Sequence, residues 1–155
     1  MQFLKRWWPA LLWALVISGF STGAFTSENT SHYIIPFLHW LVPSASPETL
    51  EFWHHIIRKS AHFTEYFIFS LLIFRGIRAG QKGWHLRWVL TTILIVAAYA
   101  CLDEYHQSFV PGRTPAVRDV LIDTTGGTAA MIVASLFVLL GGMRQQRKEA
   151  ELISK

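Results

Sequence analysis

The sequence predicts an all-α membrane protein: a polytopic four-transmembrane-helix bundle with both termini cytoplasmic and an interfacial segment between the first two spans. Three observations carry this reading. First, 52% of the 155 residues are hydrophobic and only 15% charged, whereas a soluble domain averages about 45–50% and about 25%. Second, four apolar stretches, at about 7–25, 60–76, 88–103 and 119–141, alternate with polar ones. Third, the cations are unevenly shared. Lys5, Arg6, Arg75, Arg78, Lys82, Arg87, Arg144, Arg147, Lys148 and Lys155 fall on one side, and Arg58, Lys59, Arg113 and Arg118 on the other. Under the positive-inside rule the richer side is cytoplasmic. The pI near 9.5 is then a mark of topology, and nucleic-acid binding is not expected. The whole chain, 1–155, reads as one membrane domain, and nothing in it signals an oligomeric state.

Trp7 to Phe25 holds no charge and is long enough to span, since about 20 apolar residues cross the hydrocarbon. The small residues Ser21 to Ala24 could mark a signal-peptide cleavage site. The run is long for such a segment, however, and further spans follow. Pro9 is expected in the first turn, where a missing N–H costs little. Thr26 to Ser46 is too short to span. With Pro36 and Pro43 breaking it, it is expected as a loop or half-helix at headgroup depth, with Trp40 as anchor.

Ser46-Pro47-Glu48 has the chemistry of a helix start. That helix is expected to run along the surface through His54 and Arg58 before entering the membrane. His54 and His55 are expected to be solvated or interfacial. Arg75 to Arg87 reads as a basic loop, and Pro111-Gly112 and Thr114-Pro115 as turns. The tail after Gly142 is expected to lie outside the bilayer. Cys101, the single cysteine, sits in an apolar run and is expected to pack there.

The polar residues at the outer ends of the spans are the candidate site. Charge in or beside hydrocarbon costs a few kcal/mol on insertion scales, so such residues need partners or a task. Helical spacing aligns Lys59, His62 and Tyr66, with Glu65 beside His62. On the third span it aligns Tyr99, Asp103 and His106, with Glu104 and Gln107 adjacent. On the fourth it aligns Asp119, Asp123, Gly126 and Ala130, and the small lower part of that stripe lets another helix approach closely. Asp103, Glu104, Asp119, His62 and Glu65 are the candidates for acid/base chemistry. Arg113, Lys59, Tyr66, Gln107, His106, Asp123 and Arg118 are the candidates for binding, with arginine suited to a phosphate or carboxylate. Asp123 lies about a turn inside its span, and its candidate partners are Arg113, Arg118, His62 and Lys59.

Asp103, Glu104, His106, Asp119 and Asp123 are of a type that can ligate metal. No tight metal spacing is present, and neither a metal nor another cofactor is predicted. Ordinary explanations also exist. Asp103 and Glu104 could simply end a helix at water, Asp119 could be a first-turn acid, and His62 with Glu65 could be a structural pair.

The pattern Lys59-x-x-His62-x-x-Glu65-Tyr66, then Asp103-Glu104-x-His106-Gln107-x-Phe109-x-Pro111-Gly112-Arg113, then Arg118-Asp119 to Asp123, resembles the VanZ-like family of small bacterial membrane proteins. The resemblance covers about Lys59 to Gly127 and fits the four-span layout. The family is named for low-level resistance to teicoplanin, a lipid-tailed glycopeptide antibiotic. The name implies an envelope role more firmly than resistance. The expected partners are the bilayer and a phospholipid headgroup or lipid-linked cell-wall precursor, which the outer site would bind or modify. The residues leave open whether the site is catalytic. The rival expectation is a non-enzymatic accessory protein whose polar cluster is an internal network. A proton-coupled transporter ranks last, because its polar residues would have to reach deeper.

Overall fold

The computed structural model describes residues 2–113 and 116–153. Thr114-Pro115, half of the predicted turn region, and Lys155 lie outside the described residues. Regular structure among them is entirely helical: α1 (Gln2–Phe20), a 3₁₀ turn (Gly23–Phe25), α2 (Ser27–Leu41), α3 (Pro47–Arg78), α4 (Leu86–Gln107) and α5 (Val117–Ile153).

Several boundaries differ from expectation for local reasons. Helix α1 starts at Gln2, so Pro9 lies inside it rather than in its first turn. The first apolar run stops being α-helical at Phe20. The chain turns there, and α2 leaves at 65° to α1. The segment expected as a loop or half-helix is a full helix. The Thr26 hydroxyl caps it by accepting from the Asn29 N–H at 3.2 Å. Pro36 sits within this helix without ending it, and Pro43 falls beyond its end.

Ser46 caps α3 as the sequence predicts, accepting from the Thr49 N–H at 3.3 Å, with Pro47 in the first turn. Its 32 residues make a rod of about 48 Å, longer than a hydrocarbon core of about 30 Å. It ends at Arg78 with Ala79 left-handed, so the basic loop is shorter than expected. The C-terminal tail continues α5 as one helix through Ile153.

Helix α3 is the centre of the bundle. It packs most extensively on α5 and also on α1, α4 and α2. One core cluster joins Ala10 and Ile17 of α1 to Tyr66, Phe69 and Ile73 of α3 and Val96 and Ala100 of α4. A second joins Phe74, Trp88, Val89, Ala130 and Met131. The small-residue stripe is the reason α5 comes so close. A Cβ on Gly126 would stand 2.3 Å from the Phe63 carbonyl oxygen, and one on Gly127 2.7 Å from Val96. The Ser70 hydroxyl uses that proximity to donate to the Gly127 carbonyl at 3.0 Å. Cys101 is exposed, not packed: Ala100, Asp103 and Glu104 take the inward face of α4, which turns residue 101 outward.

By length and composition two described helices can cross a membrane, Leu86–Gln107 and Val117–Gln146. The bent pair Phe3–Phe20 with Gly23–Leu41 makes a third if it counts as one span. The apolar half of α3 falls short of that composition because it carries His62 and Glu65 toward one end and Arg75 toward the other. Of the four predicted spans, two therefore stand on composition and up to three with the bent pair.

Candidate functional site

The break after Phe20 exposes a corner of backbone carbonyls, and Arg113 fills it. Val110-Pro111-Gly112-Arg113 closes with the Arg113 N–H donating to the Val110 carbonyl at 3.1 Å. Gly112 has φ 78°, the left-handed position that a type II turn gives to glycine. The turn sends Arg113 back toward the bundle. Its Nη2 donates to the carbonyls of Phe20 at 2.5 Å and Phe25 at 3.0 Å, with Thr22 at 3.4 Å. Its Nη1 donates to Gln107 Oε1 at 3.1 Å. Gln107 Nε2 in turn donates to Asp103 Oδ2 at 2.9 Å and to the Ser21 hydroxyl at 3.2 Å. Ser21 donates to Asp103 Oδ1 at 2.6 Å. Asp103 is thus buried with both oxygens satisfied.

A second set of contacts holds α2 on α3. Arg58 Nη1 donates to the Phe25 carbonyl and to the Thr30 hydroxyl, both at 3.0 Å. Thr30 donates to the Thr26 carbonyl, so His54 Nε2, 3.1 Å from the same hydroxyl, acts toward it as donor. His54 is 2% exposed. The expectation of a solvated or interfacial side chain fails for His54, because α2 folds back over it, whereas His55 is exposed. A third set joins α3 to α5: Lys59 pairs with Asp119, and His62 Nδ1 lies 3.5 Å from Asp123 Oδ1. Of the four candidate partners for Asp123, His62 is the one beside it. The separation is at the outer limit of hydrogen bonding, and both Asp123 oxygens and His62 Nδ1 are buried with no other hydrogen-bond partner among the described residues.

Between these sets lies a pocket of about 290 Å³. Its polar wall is Arg58, His62, Glu65 and Arg113, and its apolar wall includes Phe20, Phe25, Ile34 and Ile57. Neither arginine forms an ion pair among the described residues. Burial and the neighbouring Arg113 push the Arg58 pKa down, while Asp119 and Glu65 push it back up. Burial likewise lowers that of Arg113, and Asp103 and Glu104 raise it. Both remain cations at any physiological pH. The Arg113 Nε and the Tyr66 hydroxyl are buried and unpartnered, and the Glu65 carboxylate makes no hydrogen bond or ion pair among the described residues.

The predicted residues therefore divide. Asp103, Gln107 and Arg113 form one connected network, Lys59 with Asp119 and His62 with Asp123 form two pairs, and Glu65 lines the pocket. Tyr66 is fully buried. Glu104 accepts from the Ala116 N–H at 2.8 Å through Oε2, leaving Oε1 unpartnered. His106 and Arg118 are exposed and join none of these sets. Sequence reasoning missed Ser21, Thr30, His54 and Arg58. The one available signal was the i, i+4, i+7 spacing of Arg58, His62 and Glu65, which shares a helix face. No group of three residues placed to hold a metal occurs among the described residues.

No curated protein and no solved structure matches the chain. The VanZ/LLP1 family model matches residues 7–138, spanning the corner, the pocket and every residue of the three sets, and the protein belongs to the VanZ/LLP1 family.

Proposed function

We propose that this pocket binds the phosphate of an envelope lipid or lipid-linked cell-wall precursor at the outer face of the bacterial cytoplasmic membrane. In this reading α1, the apolar half of α3, α4 and α5 cross the bilayer, both termini are cytoplasmic, and α2 lies along the outer surface. The cation distribution supports that orientation.

One observation carries the reading. Arg58 and Arg113 converge on one pocket, and neither has a carboxylate paired with it among the described residues. Two guanidinium groups beside an apolar wall suit an anionic head with an acyl chain. His62 and Glu65, which line the pocket, are the groups for proton exchange in any modification of the ligand, with Asp123 behind His62. The rival reading, a structural network, draws support from Asp103, whose oxygens are both engaged. It accounts for the ties of α1 to α4 and, through Arg58, of α2 to α3, and leaves Glu65 without a role.

Arg58→Gln is the test. Protein purified in mild detergent should retain about tenfold less phospholipid by native mass spectrometry, the loss of one charge-assisted contact of about 1.4 kcal/mol. Cells expressing the parent chain should be less susceptible to teicoplanin than cells expressing the variant at equal membrane levels. Unchanged lipid retention would refute phosphate binding. Equal susceptibility would confine the function to lipids that do not affect glycopeptide action.

A further inference from the structure

The charges in the pocket are not all of one sign. Glu65 lines it together with Arg58 and Arg113, two helical turns farther along α3 than Arg58. A site selected only for anions gains nothing from a carboxylate on its wall, because like charge repels the ligand. Glu65 also makes no ion pair among the described residues: Lys59 is taken by Asp119, His62 lies toward Asp123, and neither arginine is within pairing distance of it. An ionisable side chain facing a pocket beside hydrocarbon without a protein partner points to a partner on the ligand.

We infer that the ligand's head carries a primary ammonium beside its phosphate: an aminophospholipid, its phosphate at Arg58 and Arg113 and its ammonium at Glu65. This rests on the phosphate-binding reading above and narrows it. The size of the pocket favours the same class. About 290 Å³ lies at the lower edge of the range, about 300–1,000 Å³, that encloses drug-sized ligands. That suits a phosphoethanolamine head and the start of its glycerol, whereas a disaccharide-peptide precursor is larger. Phe20 and Phe25, in edge-to-face contact with ring centroids 5.0 Å apart, join Ile34 and Ile57 in the apolar wall for the acyl chains.

The experiment adds phosphatidylethanolamine, phosphatidylglycerol or phosphatidylcholine to delipidated full-length protein and counts bound lipid by native mass spectrometry. The parent protein should prefer phosphatidylethanolamine to phosphatidylglycerol by about tenfold, the worth of one charge-assisted hydrogen bond. Phosphatidylcholine, whose quaternary ammonium has no N–H to donate, should bind as weakly as phosphatidylglycerol. Glu65→Gln should erase the preference while leaving phosphatidylglycerol binding unchanged, and Glu65→Asp, which keeps the carboxylate, should retain it.

Equal binding of the two lipids by the parent, or an undiminished preference in Glu65→Gln, would overturn the aminophospholipid assignment. The phosphate reading would still stand so long as Arg58→Gln weakened both lipids. Failure of Arg58→Gln to weaken either would overturn that reading instead. Displacement by soluble phosphoethanolamine at the same concentration as the lipid would overturn the assignment to a lipid.

Discussion

Gly126→Leu is expected to abolish recovery of folded protein. Even a single Cβ at this position would stand 2.3 Å from the Phe63 carbonyl oxygen and 3.1 Å from the Phe63 Cα. Those atoms are helix backbone, so they cannot move aside as a flexible side chain could. Helices α3 and α5 would have to part along their length. Overpacking alone costs about 1–3 kcal/mol where the surroundings can adjust, and here they cannot. Separation would also break the Ser70 bond to the Gly127 carbonyl and draw Asp123 away from His62. Size-exclusion profiles and thermal melts in detergent would show the loss. A monodisperse variant with an unchanged melting temperature would mean that α5 does not pack on α3 as described.

The second large effect concerns Arg113. Arg113→Lys is expected to destabilise the protein about as much as Arg113→Gln, by about 3 kcal/mol, the scale of two charged hydrogen bonds. The planar guanidinium reaches Gln107 with one nitrogen and the Phe20 and Phe25 carbonyls with the other. A lysine ammonium has the charge but not the fork. The Phe20 carbonyl would be left without this donor, and the corner between α1 and α2 would lose the tie that shapes the pocket. Lipid retention should fall with stability in both variants. Full restoration by lysine would mean that Arg113 acts only as a positive charge.

The features legible in the sequence were those set by neighbours along the chain. Ser46 and Pro47 announce the start of α3 because capping is local. The stripe through Asp119, Asp123, Gly126 and Ala130 announces a close helix contact because periodicity fixes a face. Asp123 requires a partner because an acid inside a span is costly, but helical spacing alone does not choose among Arg113, Arg118, His62 and Lys59. The parts that stayed hidden depend on the chain folding back on itself. Ser21 read as a small residue near a cleavage site; it is a donor to Asp103, 82 positions away. His54 and Arg58 read as surface groups because nothing in their own helix reveals that α2 lies over them. That cover follows from the 65° bend and from α2 continuing as a helix through Pro36. His106 and Arg118 matched the pattern in spacing, yet their faces turn outward.

The central claim is that a lipid head sits between the α1–α2 corner and α3. Photo-crosslinking tests it most directly. A phospholipid with a photoreactive group at the start of its acyl chain is added to the membrane-embedded protein, and labelled peptides are mapped by mass spectrometry. Label is expected to concentrate on Phe20, Phe25, Ile34 and Ile57, and to be lost in Arg58→Gln. Label spread evenly over the outward faces of α4 and α5, and unaltered by that substitution, would contradict the claim.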